Sequence, residues 1–322
     1  MKEKILIVFK LLITFGVLVI LLYQLDLNIM LELISGANLF LLSISFIVLV
    51  MQVILSSFRW HLLLVKINIS IDFLSTLKLM WIGLFFNQIL PTGIGGDAVR
   101  VYFLKRKCVN ILNAISGVAW DRITGMIGLI ILIIFGSLTA LQQNNNLLAK
   151  SGLIFVSLLC FVILCALYVD RMPILGRNKF IQNYRKYIEH GRLLCLSKEV
   201  APKIIGLSVI IQIFSVLSVF LIGSALGISL SIIGILIVVP LSILTMALPI
   251  SFAGWGVREG VMITGFSLLG VSSEIAFSIS ILYGFGLALT GLIGGIFWLL
   301  ESDSVRKDPV NNSVSTLIFY NP

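Results

Sequence analysis

Asn87-Gln88-Ile89-Leu90-Pro91-Thr92-Gly93-Ile94-Gly95-Gly96-Asp97-Ala98-Val99-Arg100 breaks an almost continuously apolar chain with one proline, three glycines, an acid and an arginine. The pattern occurs twice. Leu90-Pro91, Gly96, Val99 and Arg100 map onto Leu248-Pro249, Gly254, Val257 and Arg258 at one constant offset of 158 positions, without a gap. Proline removes a backbone donor and stops an incoming helix, and glycine lets the backbone turn tightly or approach a ligand closely. Asp97 suits the N-cap of a helix starting at Ala98. Arg100 would then lie in that helix's first turn, beside free amides at the positive end of the dipole. Paired Pro/Gly breaks of this kind mark a membrane protein whose substrate site lies between two structural halves.

Composition puts both breaks in a membrane. Of 322 residues, 59% are hydrophobic and 11% charged, and mean hydropathy is +1.13, whereas soluble domains carry about 25% charged residues. A helix needs about 20 apolar residues to cross a bilayer. Residues 5–25, 39–57, 123–141, 152–169, 204–226, 231–248 and 275–300 supply such runs, while 77–96 and 250–270 are apolar but interrupted. The expected fold is an all-α polytopic transmembrane bundle with two broken or re-entrant elements and a weak internal repeat. One membrane domain, 1–301, would hold pseudo-repeats centred on 77–104 and 238–262, followed by a flexible polar tail, 302–322. Lys2 and Lys4 precede a first segment without a small-residue cleavage site, which reads as a retained span.

The net charge of +9 is concentrated. Residues 170–203 hold eight basic and three acidic side chains, more than half of the surplus, as a cytoplasmic loop does. A nucleic-acid partner is not expected. The positive-inside rule places both termini inside, 26–38 outside, and the Arg100, Lys105, Arg106, Lys107 cluster inside. Residues 77–96 must therefore enter and leave on one side. Residues 204–226 and 231–248 read as an out-and-back hairpin, which leaves Arg258 and Glu259 near the inner side. Cys108, Cys160, Cys165 and Cys195 show no CxxC spacing, and there are only two histidines, so no zinc site, disulfide framework or other cofactor is expected.

The second break carries Arg258-Glu259 inside an apolar run. An ionisable residue at mid-helix costs about 2.5–3.5 kcal/mol on insertion scales and usually faces a cavity or a partner. Adjacent helical positions point about 100° apart, so each of the two is expected to seek a partner elsewhere, Asp97 and Arg100 being the natural ones. Both breaks also admit a plainer reading: in the first Arg100 marks only the cytoplasmic boundary and Asp97 only caps, and the second is an interfacial turn anchored by Trp255. Asp121-Arg122, followed by Gly125, lies deep if its helix begins near Ile111 and at the headgroups if it begins at Ile123. Arg59-Trp60-His61, at the end of a span, reads as an interfacial anchor.

Taken together, Arg59-Trp60, Phe85-Phe86-Asn87, Leu90-Pro91, Gly95-Gly96-Asp97 through Arg100, Asp121-Arg122 with Gly125, and Pro249 through Gly254-Trp255-Gly256-Val257-Arg258-Glu259 resemble the lysylphosphatidylglycerol synthase transmembrane family, also described as flippase-like integral membrane proteins. The resemblance runs from about residue 5 to 300. In bifunctional members it implies movement of aminoacylated lipid across the cytoplasmic membrane, a separate soluble domain making that lipid. Only about twenty polar residues follow residue 300, so no synthase activity is carried over.

The function expected on these grounds is translocation of a phosphate-bearing lipid, an aminoacyl-phospholipid or a polyprenyl-linked one, across the cytoplasmic membrane. The candidate path comprises Asn87, Pro91, Gly95, Gly96, Asp97, Arg100, Asp121, Arg122, Pro249, Gly254, Gly256, Arg258 and Glu259, with no catalytic or metal-binding residue. Partners would be membrane lipids, a separate lipid-synthesising enzyme and a second copy of the chain. The alternatives are a lipid-modifying transferase at the cytoplasmic face, with Asp97, Asp121 or Glu259 as base, and a non-transporting partner of envelope-lipid enzymes.

Overall fold

The structure, a computed structural model, describes residues 25–90, 95–107, 109–142, 150–157, 197–246 and 253–306, with five isolated positions (16, 19, 23, 147 and 191). The expected spans 5–25 and 152–169, most of the basic loop, most of the polar tail, all four cysteines, Pro91 and Pro249 lie largely or wholly outside the described residues. Those described are overwhelmingly helical and include no strand.

Polar residues start the helices. Asp26 accepts from the amides of Asn28 and Ile29 to begin α1 (Leu27–Ser35), and Asn38 does the same for α2 (Leu39–Lys66). Asp72 caps α3 (Phe73–Ile89) through the Ser75 amide at 2.9 Å. Hydrogen bonds from the Ser75 hydroxyl and amide hold the Asp72 carboxyl below its usual range. After the break comes α4 (Gly95–Arg106), then α5 (Ile111–Gln142), whose second residue donates to Asn110. The second set is α6 (Ala201–Ala225), α7 (Ile232–Met246), α8 (Val257–Ser267) and α9 (Ser273–Arg306). Four of the described helices, α2, α5, α6 and α9, are long and apolar enough to cross a membrane.

The order long, short, short, long thus appears twice, in α2–α5 and in α6–α9. The halves are inverted with respect to each other. Ser45 bonds Ser218 at 2.8 Å, Gln52 donates to Ser215 at 2.7 Å, and Arg59 donates to Ser208 at 3.0 Å. Numbers rise along α2 as they fall along α6, so these equivalent helices are antiparallel. The remaining contacts obey the same relation: α3 packs on α9 as α7 packs on α5, and each short pair packs on itself. Two apolar cores follow, one around Trp60, Leu63, Trp81 and Leu104, the other around Val219, Ile237, Met262 and Phe266.

Each short pair is a hairpin that returns to the end it came from. Gly96 lies against Gly83 so closely that a Cβ there would meet the Gly83 carbonyl oxygen at 1.9 Å. At the base, Lys107 donates to Ser75 at 2.6 Å. In the second hairpin Gly254 abuts Met246 at the tip, Gly265 abuts Val238, and Gly234 at the base meets Leu269. The second base sits where α6 ends and α2 begins, tied by the Asn38 amide to the Ala225 carbonyl at 2.9 Å. The first sits where α2 ends and α5 begins, with Leu64 against Gly117.

The hairpins therefore enter from opposite ends, which corrects the out-and-back reading of 204–248. At 15 residues, α7 spans about 22 Å at 1.5 Å per residue, short of the roughly 30 Å hydrocarbon core, and it satisfies its apolar faces by pairing with α8 rather than by crossing. Arg258 and Glu259 consequently lie at the tip of a hairpin entering from the end opposite to Lys107.

Gly96→Ala should force α3 and α4 apart and destabilise the fold by about 1–3 kcal/mol, the usual cost of overpacking. Gly206→Ala, where a Cβ meets nothing within 4 Å, should leave stability unchanged or slightly raised. Thermal unfolding of both variants in one detergent checks the pair.

Candidate functional site

Two helices of the first half and the first hairpin bring five charged side chains together. Asp121 is ten residues into α5, about 15 Å from its start at Ile111. The helix runs unbroken from Ile111, the start from which the sequence reading placed Asp121 deep. Its carboxylate accepts from Arg59 Nη2 at 2.9 Å and Nε at 3.2 Å on one oxygen, and from Arg100 Nη2 at 2.8 Å on the other. Arg100 Nη1 also reaches Asp97 at 3.3 Å, and Asp97 accepts from Arg122 Nε at 3.1 Å. Arg59 completes its bonding through Ser208 and the Asp121 carbonyl. Gly125 leaves room for it, since a Cβ there would lie 3.3 Å from Nη1.

Among the described residues, three guanidiniums thus face two carboxylates. Arg59, Arg100 and Asp121 are each at most 6% exposed, while the Arg122 side chain is 30% exposed and opens the cluster outward. Arg100 stacks on Trp60, its guanidinium carbon 3.8 Å from the ring centroid, a favourable arrangement for a desolvated cation. Two donors here lack acceptors among the described residues: Arg100 Nε and Trp60 Nε1 are buried without a hydrogen-bond partner. Buried donors are nearly always satisfied, and an unmade bond costs about 1–3 kcal/mol or more for a charged group.

Several sequence expectations change at this point. Helix α4 starts at Gly95, not Ala98, so Asp97 is not its N-cap. Asn87 fills that role, accepting from the Gly96 amide at 2.8 Å, which frees the Asp97 carboxylate for Arg100 and Arg122. Arg100 lies in the second turn and engages carboxylates, not free amides. Gly95 and Gly96 are buried helical residues, and Gly96 serves close packing, not turning. The Arg59-Trp60 anchor reading also fails: α2 runs on to Lys66, with Trp60 fully buried. The apolar run Leu62–Val65 after His61 was the available signal, and the small residue at Gly125 was its counterpart.

The second break forms a separate cluster. Arg258 pairs with its neighbour Glu259, bonding it through Nη2 and, at 3.0 Å, Nε, contrary to the expectation that each would look elsewhere. The helical offset is overcome because the Glu259 side chain folds back over the helix start, accepting from the Gly256 amide at 2.5 Å. Ala253, Gly254 and Gly256 all adopt positive φ to make that start. Ser280 bonds both partners, Trp255 covers the guanidinium, and Gly284 gives it space. Arg258 and Glu259 are 1% and 0% exposed. On α9, Gly284 beside Arg258 is seven residues from Gly291, which faces Leu84 and Gln88 of α3, about 10 Å along the axis. Asp97 and Arg100 take their partners within the first cluster.

No group of metal-ligating side chains is found among the described residues. Residues 7–295 match the family described as the lysylphosphatidylglycerol synthase TM region. A UPF0104 membrane protein of Methanocaldococcus jannaschii is 26% identical over 268 residues, covering 74% of this chain and 78% of its own. UPF0104 membrane proteins of Pyrococcus horikoshii and Methanothermobacter thermautotrophicus are each 24% identical, covering 72% and 79% of this chain and 78% and 80% of their own. No solved structure matches the chain.

Removing the shared carboxylate by Asp121→Ala strands Arg59 and Arg100 and should cost about 3–5 kcal/mol, as breaking a buried pair does. Replacing Arg59 and Asp121 together by leucine should cost clearly less than the sum of the single changes. A double-mutant cycle on detergent-solubilised protein measures both.

Proposed function

The chain belongs to the lysylphosphatidylglycerol synthase TM-region family, membrane proteins related to lipid metabolism, and on that premise we propose that it translocates a phosphate-bearing lipid across the cytoplasmic membrane, with both termini inside. The observation that carries the reading is the first cluster: buried arginines gathered around Asp121, with two donors, Arg100 Nε and Trp60 Nε1, lacking acceptors among the described residues. Arginine forks suit phosphate oxygens. A headgroup phosphate approaching past the part-exposed Arg122 would accept from Arg100 Nε and Trp60 Nε1, completing the bonding that the protein leaves open.

The fold supports the same conclusion. Hairpins entering from opposite ends suit alternating access, in which one half rocks against the other. The antiparallel α2–α6 contact, held by the Ser45–Ser218 and Gln52–Ser215 bonds, is the natural axis for that motion. Acyl tails would stay in the bilayer while the headgroup follows the polar cluster. Arg258 and Glu259 belong to this path as the fixed tip of the second hairpin, with Gly254 and Gly256 shaping the turn and Pro249 preceding it.

Liposomes carrying the purified protein and a fluorescent phosphatidylglycerol provide the test. Leaflet exchange should exceed that of empty vesicles, and Arg100→Ala should reduce it at least tenfold. Exchange no faster than in protein-free vesicles would dispose of the proposal.

A further inference from the structure

A cavity of about 600 Å³ opens at the base of the first hairpin, lined by none of the arginine-cluster residues. The turn between α2 and α3 supplies Asn68, Ile69, Ser70, Ile71 and Asp72, and Lys107 closes it from the end of α4. Asn68 adopts φ of 60°, a left-handed conformation that asparagine tolerates better than most residues. That bend turns the chain back, so that the Ile69 amide donates to the Leu64 carbonyl at 2.9 Å. Ile69 and Ile71 are thereby buried as an apolar floor, while Val65, in the last turn of α2, stays exposed at the rim. Two opposite charges stand at the edge without pairing with each other. Lys107 Nζ donates to the Ser75 hydroxyl at 2.6 Å, and Asp72 accepts from that hydroxyl and from the Ser75 amide. An ammonium has three donors and a carboxylate about four acceptor positions, so both keep capacity for a ligand. The side chains of Asn68 and Ser70 are exposed and have no partner among the described residues.

We infer that this cavity binds the headgroup of a zwitterionic phospholipid, with its phosphodiester on Lys107 and its primary ammonium on Asp72. The site is distinct from the arginine clusters, and the inference does not rest on translocation. A lone anion here would meet the Asp72 carboxylate, and a lone cation would meet the Lys107 ammonium. A headgroup carrying both signs satisfies both at once, and each charge repels the ligand that lacks its complement. In phosphoethanolamine only two carbons separate the phosphate oxygen from the nitrogen, a short bridge between charges that share one hydroxyl. The volume falls within the roughly 300–1,000 Å³ usual for ligand pockets. The apolar floor and the exposed Val65, which belongs to a helix long enough to cross a membrane, suit the glycerol ester and first acyl carbons. They favour a lipid over a soluble zwitterion.

Native mass spectrometry of the full chain in detergent tests this with phosphatidylethanolamine and phosphatidylglycerol of identical acyl chains. Asp72→Asn removes the charge and keeps the α3 cap, since asparagine caps as well as aspartate. It should lower phosphatidylethanolamine retention about fivefold, the upper scale of an exposed charge pair, and leave phosphatidylglycerol retention no lower. Lys107→Gln, at an exposed position, should lower phosphatidylethanolamine retention by a similar factor, and it decides the matter if Asp72→Asn does not fold. Glu32→Gln on α1, far from the cavity in sequence, should change neither lipid. Phosphatidylethanolamine retained equally by the wild type and both cavity variants overturns the inference. Equal losses of both lipids in Asp72→Asn also overturn it, because the carboxylate then does not read the amine. Soluble glycerophosphoethanolamine that displaces the lipid at equal concentration overturns the assignment to a lipid. Binding, not leaflet exchange, is read throughout, so failure of either proposal leaves the other standing.

Discussion

One carboxylate organises the first half of this molecule. Asp121 sits inside an apolar bundle, where an isolated charge would be very costly, and it is tolerated because two guanidiniums from two other helices close on it. The same bonds fix where α2, α4 and α5 meet. They hold Arg100 over Trp60 and bring Asp97 and Arg122 to the rim. The geometry of the candidate site follows from satisfying that single acid, and the fit is not quite complete: Arg100 Nε and Trp60 Nε1 are left without acceptors among the described residues.

Much of the fold was readable from the chain. Hydropathy located α2, α5, α6 and α9, and the Pro/Gly interruptions located both hairpins. The arginine count and the positive-inside rule forced the first hairpin to return to its own side. The direction of the second was not readable, because no cluster of lysines follows Arg258 as Lys105–Lys107 follows Arg100. The apolar run 231–248 looked long enough to cross, whereas the helix formed from it, Ile232–Met246, is only fifteen residues.

The site was legible in part. Asp97, Arg100, Asp121 and Arg122 stood out as charges in apolar surroundings, and they do converge. Arg59 did not, since an arginine near the expected end of a span looks like a boundary marker until the helix is seen to continue. The Arg258–Glu259 pairing was missed because helical geometry alone argues against neighbours bonding. A side chain that doubles back to cap its own helix escapes that argument. Asn87 taking over the capping expected of Asp97 is the same lesson: which polar group serves the backbone depends on which others are already engaged.

The two halves share an architecture but not a charge plan. One presents three arginines to two acids and stays open at its rim; the other closes one arginine on one glutamate and seals it. A bundle of this design is what two copies of a half-length ancestor would make if each inserted in either orientation and the pair then became fused. Fusion frees the copies to diverge, one left open at its rim and the other closed. The sealed Arg258 then marks the position that answers to Arg100 in the other copy, closed by its own neighbour Glu259.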